Sequence, residues 1–172
     1  DAAMAGFDSE IVIAGGRLDA RGNNSLGTAA GATTVLNGGT LLVRDGKTLA
    51  DNVTITGNGY GSNGAIRSEN NANTLTGVIN VAGDSRIHVN NTSLTLSGAV
   101  TGSAIEKTGT GRLDLLNPSN TFSSLALNGG SVRIASQGSL GGTTSLAIDK
   151  GEVLEFDGNM TISPSLALTL ED

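Results

Sequence analysis

One or two glycines followed by an alternating apolar run recur along this chain, and this unit restricts its fold more than any other feature. The clear copies are GGRLDA at Gly15–Ala20, GGTLLV at Gly38–Val43, GGSVRI at Gly129–Ile134 and GEVLEF at Gly151–Phe156. Weaker copies are GAIRS at Gly64–Ser68, DSRIHV at Asp84–Val89 and TGRLDL at Thr110–Leu115. Alternation of apolar and polar residues is typical of strands with one buried face. Successive copies lie roughly 19 to 26 residues apart, a spacing typical of solenoid repeats.

The stretch Gly98–Ile134 shows the unit most clearly. It holds three alternating runs, at Gly111–Leu115, Ser123–Leu127 and Gly130–Ile134. Gly, Asn, Ser and Pro separate the runs, and the connections hold no helical pattern. We therefore expect three strands joined by turns.

Two folds are compatible with these strands and turns. Segments such as SSLALNGG at Ser123–Gly130 read as strand, Asn-Gly turn and strand, and Asn-Gly is a strong hairpin signal. A β-sandwich built from hairpins is therefore one alternative. Many units contain a further run, as NVTIT at Asn52–Thr56 follows GGTLLV. Two or three short strands in about 22 residues favour one rung of a parallel β-helix, in which each strand pairs with its equivalent in the next rung.

The composition suits a narrow interior filled by aliphatic side chains. Glycine contributes 26 residues, hydrophobic residues 37% and aromatic residues only 2%, whereas a wide core normally uses aromatic rings. The four aromatic residues are too few to predict a sugar-stacking groove. The alternation predicts these buried residues: Val12, Leu18, Val35, Leu41, Val43, Val53, Ile55, Ile66, Ile79, Ile87, Val89, Leu94, Leu96, Leu113, Leu115, Leu125, Leu127, Val132, Ile134, Leu146, Ile148, Val153, Ile162, Leu166 and Leu168.

Charge and cysteine content exclude several classes of function. Ten Lys and Arg against 16 Asp and Glu give a net charge of −6, which disfavours nucleic acid as a partner. The absence of cysteine excludes a disulfide scaffold and a cysteine-based zinc site. No apolar run reaches the roughly 18 residues of a membrane span. The chain begins at Asp1 without a basic leader, so we expect a mature chain or a segment excised from something longer.

Reactive side chains are few. His88 is the only histidine, and no nucleophile-elbow pattern accompanies it. Asp84, Arg86 and His88 lie on one face of a predicted strand, and Arg67 stacks one rung earlier. This is the best enzymatic constellation in the chain, of the kind used by polysaccharide-active β-helix enzymes. Scattered charges on a solvated sheet face are the alternative, and we favour it.

No catalytic, cofactor-binding or metal-ligating residue is predicted, and no cofactor. The chain lacks an EF-hand loop and the glycine-rich nonapeptide array of calcium-binding solenoids. Its glycine pairs are not followed by a helix that could bind phosphate. We therefore expect a protein that is not an enzyme.

Two irregular features of the sequence can each be interpreted in two ways. The glycine-rich segment Gly57–Asn73 contains Tyr60, the only tyrosine, and is either a protruding loop that contacts a partner or a long turn. The Asn pairs at Asn23–Asn24, Asn70–Asn71 and Asn90–Asn91 are either stacked side-chain ladders or solvated turns. We favour turns in both cases.

The segment KTGTGRLDLLNPSNTF at Lys107–Phe122 resembles the autotransporter-associated β-strand repeat, whose usual form is K-T-G-x-G-x-L-x-L-x-G-x-N-T-Y-x-G. The matching residues are Lys107, Thr108, Gly109, Gly111, Leu113, Leu115, Asn120 and Thr121, with Phe122 as the aromatic. Flanking segments are similar to those around such repeats, at Leu94–Ser103, Gln137–Phe156 and Asn23–Val43. The glycines expected after Leu115 and Phe122 are absent, so we expect a different turn there.

The resemblance implies an all-β, right-handed parallel β-helix, here a single β-solenoid segment over residues 1–172 of about seven rungs. It also implies an extracellular location on the bacterial outer surface, as a rigid stalk or an adhesin that contacts a host-cell or matrix surface. An N-terminal export signal and a C-terminal membrane barrel accompany the family, and neither is in this sequence. The chain ends at Ser165–Asp172 in a strand pattern, so we expect either further rungs or copies stacked end to end into a fibre.

Overall fold

A computed structural model describes residues 7–163 and 165–172. Within these ranges the backbone forms nineteen short strands. In chain order they are β1 (Ile11–Ile13), β2 (Gly16–Ala20), β3 (Ala32–Val35), β4 (Gly39–Arg44), β5 (Thr48–Leu49), β6 (Asn52–Gly57), β7 (Ile66–Glu69), β8 (Asn73–Leu75), β9 (Ile79–Val89), β10 (Ser93–Leu96), β11 (Val100–Gly102), β12 (Ile105–Thr108), β13 (Arg112–Leu115), β14 (Thr121–Phe122), β15 (Ser124–Leu127), β16 (Ser131–Ile134), β17 (Ser145–Ile148), β18 (Val153–Phe156) and β19 (Ala167–Leu170).

Helical structure is confined to two short 3₁₀ segments in the described part of the chain, at Tyr60–Ser62 and Gln137–Leu140. Neither is long and apolar enough to cross a membrane. Strands and turns therefore build the whole described architecture.

The strands stack into three faces around one core. The first face contains β1, β3, β6, the beginning of β9, β11 and β14. The second face contains β2, β4, β7, the end of β9, β12, β15, β17 and β19. The third face contains β5, β8, β10, β13, β16 and β18. The first two faces are one continuous thirteen-stranded sheet because β9 runs through both.

Every described strand pairing is parallel, which confirms the β-solenoid and excludes the hairpin alternative. The strands on either side of the Asn37-Gly38 turn, β3 and β4, pair with neighbouring rungs rather than with each other. Paired residues are 19 positions apart at Leu94 and Leu113 and 26 apart at Val53 and Ile79. The predicted repeat spacing is therefore confirmed. The path β1-β3-β6-β9-β12-β15-β17-β19 counts eight rungs, one more than predicted.

The core is a set of aliphatic ladders, as predicted. Most of the predicted residues are buried, and the single buried aromatic among the described residues is Phe122. Val12 and Val153 are wrong predictions, with more than half of each side chain exposed. Val12 lies between two isoleucines and Val153 directly precedes Leu154, so the pattern of apolar residues allowed either register. Their neighbours Ile13 and Leu154 hold the inward positions.

The other two exposed members of the predicted set lie near the C-terminal end. Leu168 pairs with Leu146 and holds an inward position in β19, but no further rung covers it among the described residues. Ile162 lies outside any strand, in the connection between β18 and β19. Their exposure reflects position along the solenoid rather than residue type.

Asparagine side chains join successive rungs at the corners. Asn120 accepts a hydrogen bond from the Val100 N–H at 2.8 Å and donates one to the Ser139 carbonyl at 2.8 Å. Asn73, also buried, accepts from the Lys47 N–H at 2.9 Å. At the Asn70–Asn71 pair both residues adopt positive φ in a turn, which agrees with the favoured interpretation of this pair. Two members of the Asn pairs also join rungs: Asn23 accepts from the Thr48 N–H at 3.0 Å, and Asn70 donates to the Asp45 carboxylate at 3.3 Å.

Candidate functional site

The constellation predicted around His88 lies on the outer surface of the second face. Asp84, Arg86 and His88 alternate along β9 with inward residues that are buried. Arg67 of β7 pairs directly with His88 in the adjacent rung. The structure therefore brings the four predicted side chains to one surface, as the sequence indicates.

The two arginines of this surface are engaged in ion pairs. The Arg86 guanidinium donates to both carboxylate oxygens of Glu106, at 2.8 and 3.1 Å, and a further N–H group donates to the Ser62 carbonyl at 2.7 Å. Arg67 forms an ion pair with Glu69 at 2.6 Å. Both arginines thus bind neighbouring side chains instead of standing free to bind an anionic substrate.

His88 is also held within the surface. Its Nδ1 atom lies 3.1 Å from the Thr108 hydroxyl of the next rung. Burial, together with the positive charges of Arg67, Lys107 and Arg86, lowers the pKa of His88 below its ordinary value, while Glu69 opposes this shift. The imidazole is therefore neutral near pH 7.

Asp84 lines a small cleft beside this constellation. The cleft holds about 130 Å³, which is below the roughly 300–1,000 Å³ of small-molecule sites. Glu106, Ser85 and Ser124 also line it, and the Asp84 carboxylate accepts a hydrogen bond from the Ala104 N–H at 3.3 Å. The cleft has the size of a few water molecules and its carboxylates are already hydrogen-bonded or paired.

Taken together, the polar groups around His88 bridge neighbouring rungs. Glu106 also accepts a hydrogen bond from the Asn128 amide at 3.0 Å, so a continuous network crosses three rungs. Within residues 7–163 and 165–172 there is no cluster of three or more His, Asp or Glu side chains suited to a metal ion. This surface is therefore a rigid, charged face of the sheet.

Tyr60 stands beside this network on the 3₁₀ segment that connects β6 to β7. Its side chain is 56% exposed, the most exposed aromatic of the described residues. Its N–H donates to the Thr40 hydroxyl at 2.8 Å, and that hydroxyl donates to the Gly64 carbonyl at 2.7 Å. The segment therefore folds back over β4 and holds the ring outward, which agrees in part with each of the two sequence alternatives.

Among the buried titratable side chains of the described residues, two that lie within strands were not predicted. Lys107 is fully buried in β12, and its ammonium donates to the carbonyls of Gly109 and Gly129, at 2.8 and 2.5 Å. Asp114 is buried on the outside of the third face, where Arg112 and Arg133 donate to one of its oxygens at 2.7 and 2.9 Å. Each lies in an alternating run in which the sequence pattern alone predicts only a strand.

A cavity lies at the C-terminal end of the solenoid. It has a volume of about 430 Å³ and lies between the Gly138–Thr143 corner and the connection before β19. Leu140, Phe156, Met160 and Leu166 supply most of its apolar lining. The cavity is part of the open end of the core and contains no titratable side chain among its lining residues.

Comparison with known proteins gives one informative similarity. The chain is 38% identical over 78 residues to the Adhesin BmaC autotransporter of Brucella suis biovar 1 (strain 1330). The aligned part covers 44% of this chain and 2% of that protein. No family model matches the chain, and no solved structure matches it. The chain is thus a β-solenoid that is similar, over less than half its length, to a small part of an autotransporter adhesin.

Proposed function

We propose that this chain is a non-catalytic adhesive and structural module in the passenger region of a bacterial surface-exposed or secreted protein of the autotransporter type. The observation that carries the proposal is the combination of an eight-rung parallel β-solenoid with similarity to an autotransporter adhesin. The residues matching the autotransporter-associated repeat support it.

The physical construction suits a stalk that also presents a surface. Each rung pairs with its neighbours through main-chain hydrogen bonds, so the side chains on the three faces are held at fixed positions. Arginines and carboxylates on the second face bind each other across rungs, as Arg86 binds Glu106. A surface whose charges are already paired supports adhesion through shape and apolar contact more than through capture of a single charged ligand.

Tyr60 is the residue we assign to contact with a host-cell or matrix surface. Exposed tyrosines supply contact area at a low cost in side-chain entropy, and they are enriched in protein interfaces. The Thr40 and Gly64 hydrogen bonds fix the segment before binding, which reduces the entropic cost of binding. The rest of the second face then forms the polar surroundings of this contact.

Binding of the purified chain to host cells and to immobilised matrix proteins tests the proposal. We expect saturable binding that Tyr60→Ala weakens about tenfold, which is the range expected when an interface anchor is truncated. Leu36→Ala is the matched control, since Leu36 is an exposed apolar residue directly after β3 of the first face. Circular dichroism checks that both variants remain folded.

Three results separate the possible outcomes. Equal loss of binding in Tyr60→Ala and Leu36→Ala would show that the contact does not depend specifically on Tyr60. Absence of binding to any cell or matrix surface would contradict the adhesive role and favour a structural stalk. The chain could instead turn over an acidic polysaccharide and lose this activity when Asp84, Arg86 and His88 are replaced together. That result would show that the chain is an enzyme and would contradict the proposal.

A further inference from the structure

A carboxyl group is buried at the corner between β5 and β6. Asp51, which directly precedes β6, is 3% exposed. Its Oδ2 atom accepts a hydrogen bond from the Thr33 hydroxyl at 2.5 Å. Within residues 7–163 and 165–172, no donor forms a hydrogen bond with its Oδ1 atom, which is also buried. The corner therefore encloses a titratable side chain with one oxygen paired and the other unpaired.

Thr33 interrupts a column of aliphatic side chains. Ile11 of the preceding rung and Val53 of the following rung pair with it in register, and the column continues with aliphatic residues in β9 and β11. Thr33 is fully buried, so its hydroxyl lies in the core, where a polar group without a partner is unfavourable. Asp51 is that partner. The pair thus joins β3 to the corner before β6.

No charged side chain compensates a negative charge on Asp51. The strands β3, β5 and β6 contain no titratable residue. Of the titratable residues beside them, Glu10 accepts from the Thr34 hydroxyl at 2.8 Å, on the side of β3 opposite to Thr33, and Lys47 directly precedes β5. Asp8 accepts from the Thr28 hydroxyl. None of the three forms a hydrogen bond or an ion pair with Asp51 among the described contacts.

The following rung brings no partner to this corner either. Its corner Thr76–Val78 contains no titratable residue. A Cβ atom placed on Gly77 would lie 2.1 Å from the Asp51 carbonyl oxygen, so no side chain fits there. Burial raises the pKa of Asp51 above its ordinary value, and the Thr33 hydroxyl and, more weakly, the Asn52 N–H oppose this shift.

We propose that Asp51 and Thr33 form a proton-dependent link in the core, which is strong while Asp51 is protonated and weak once its carboxylate ionises. A protonated Asp51 can donate to the Thr33 hydroxyl and leaves only a neutral carbonyl oxygen unpaired. An ionised Asp51 leaves a charged oxygen unpaired in the core, which is far less favourable. The solenoid around β3 and β6 is therefore strengthened in acid. The proposal does not depend on adhesion.

The direction of the pH effect follows from the two states of the chain. An aspartate in the unfolded chain has the ordinary pKa of 3.8, and the folded chain keeps the proton to higher pH. The contribution of the link is fully present below pH 3.8 and is lost as the pH rises through the folded pKa. Other carboxylates also titrate in acid, so the contribution of Asp51 must be measured as a difference between variants. Asp51→Asn imitates the protonated acid at every pH, because its amide can donate to Thr33.

Thermal unfolding of the parent chain and of Asp51→Asn between pH 3 and pH 7 tests the proposal. The two midpoints should coincide near pH 3 and separate as the pH rises, until Asp51→Asn unfolds at least about 2 °C above the parent at pH 7, a measurable shift at this chain length. Thr33→Val should lower the midpoint more at pH 7 than at pH 3, because the ionised carboxylate then loses its hydroxyl donor. Asp149→Asn, at an exposed aspartate, is the matched control and should follow the parent.

Two measurements on the folded chain complete the test. The carboxyl carbon resonance of Asp51 in the parent chain should titrate with a midpoint above 3.8, and this result does not depend on the folding of any variant. Amide exchange, corrected for its intrinsic pH dependence, should show protection of β3 and β6 falling towards pH 7 relative to β13 and β16 in the parent but not in Asp51→Asn.

Each measurement has an outcome that would overturn the link. A carboxyl resonance that titrates at or below 3.8 would show that Asp51 is ionised like an exposed aspartate. A difference between the parent and Asp51→Asn midpoints that does not change with pH would exclude a proton from the contact. Loss of protection that is equal along the chain, or equal in Asp51→Asn, would assign the pH effect to other groups.

Discussion

Lys107 shows at the scale of one residue how the rungs are joined. It is stacked between Ile87 and Leu127 in an inward column, and its ammonium reaches the corner carbonyls of Gly109 and Gly129 in successive rungs. Burial lowers the pKa of Lys107 to about 8, and the charge of Glu152 only partly opposes this. The first residue of the repeat-like motif therefore serves as a hydrogen-bond donor inside the core.

The lowered pKa predicts a pH dependence of stability that Lys107→Met removes. Between pH 8 and 10.5 the unfolded chain holds a proton on this lysine that the folded chain has lost. The free energy of unfolding should therefore rise with pH through this window, by up to about 3 kcal/mol. Urea unfolding from pH 7 to 11 measures the difference between the parent chain and Lys107→Met.

Lys150→Met is the control for this experiment because it removes an exposed lysine. The curve of Lys150→Met should follow that of the parent chain. Parallel curves for the parent and Lys107→Met would show that the lysine keeps its ordinary proton affinity in the folded state.

Asp114 leads to a second prediction at the residue scale. Its side chain is 3% exposed, and it accepts from both Arg112 and Arg133. Asp114→Ala should lower the free energy of unfolding by about 1–3 kcal/mol, since two partly buried arginines lose a buried partner. Asp157→Ala, at a carboxylate that is 60% exposed, should cost less than about 0.5 kcal/mol. Equal costs for the two variants would show that burial of Asp114 adds nothing.

At the scale of the element, corner glycines set how closely the rungs approach. A Cβ atom placed on Gly98 would lie 1.8 Å from the Gly77 carbonyl oxygen of the preceding rung. That oxygen belongs to the backbone, so it cannot rotate away. Glycine at this corner is therefore required by contact between rungs and not by a turn conformation of its own.

Gly98→Ala should consequently lower the free energy of unfolding by about 3 kcal/mol or more, in the range seen for severe backbone clashes. Gly15→Ala is the matched control, because no atom lies within 4 Å of its added Cβ. Urea denaturation of both variants measures the contrast. A small effect at Gly98 would mean that the corner can widen without loss of strand pairing.

Strand positions were predictable from the sequence, and register only in part. The runs at Gly111–Leu115, Ser123–Leu127 and Gly130–Ile134 all form strands, because alternation over four residues identifies a half-buried strand. Where apolar residues are adjacent, as around Val12, the alternation allows either of two sets of side chains to point inward. Pairing with the next rung then decides which side chain points inward.

For the whole molecule, the solenoid predicts graded protection along its axis. A rung at the end contacts only one neighbour, whereas a middle rung contacts two. Amides of β19 should therefore exchange with deuterium at least tenfold faster than those of β12 and β15, since end rungs open without unfolding the rest. Hydrogen exchange followed by mass spectrometry measures the gradient. Uniform protection along the chain would instead indicate a single cooperative unit.

The candidate surface was predictable to a similar extent. Strand alternation placed Asp84, Arg86 and His88 together, and the repeat spacing placed Arg67 beside them, as the pairing of β7 with β9 confirms. The ion pair between Arg86 and Glu106 and the exposure of Tyr60 depend on how neighbouring rungs and the 3₁₀ segment pack. These contacts join residues about 20 positions apart, and a pattern read along one strand carries no information about them.

By itself, the sequence determined that the chain forms short strands, that these repeat every 19 to 26 residues, and that aliphatic side chains fill the interior. These properties follow from local alternation and turn residues, which act over a few positions. Only the tertiary structure decided that Lys107 and Asp114 are buried and that Asn120 forms hydrogen bonds to both neighbouring rungs. Each of these depends on what the next rung places against a side chain, and that is a property of stacking.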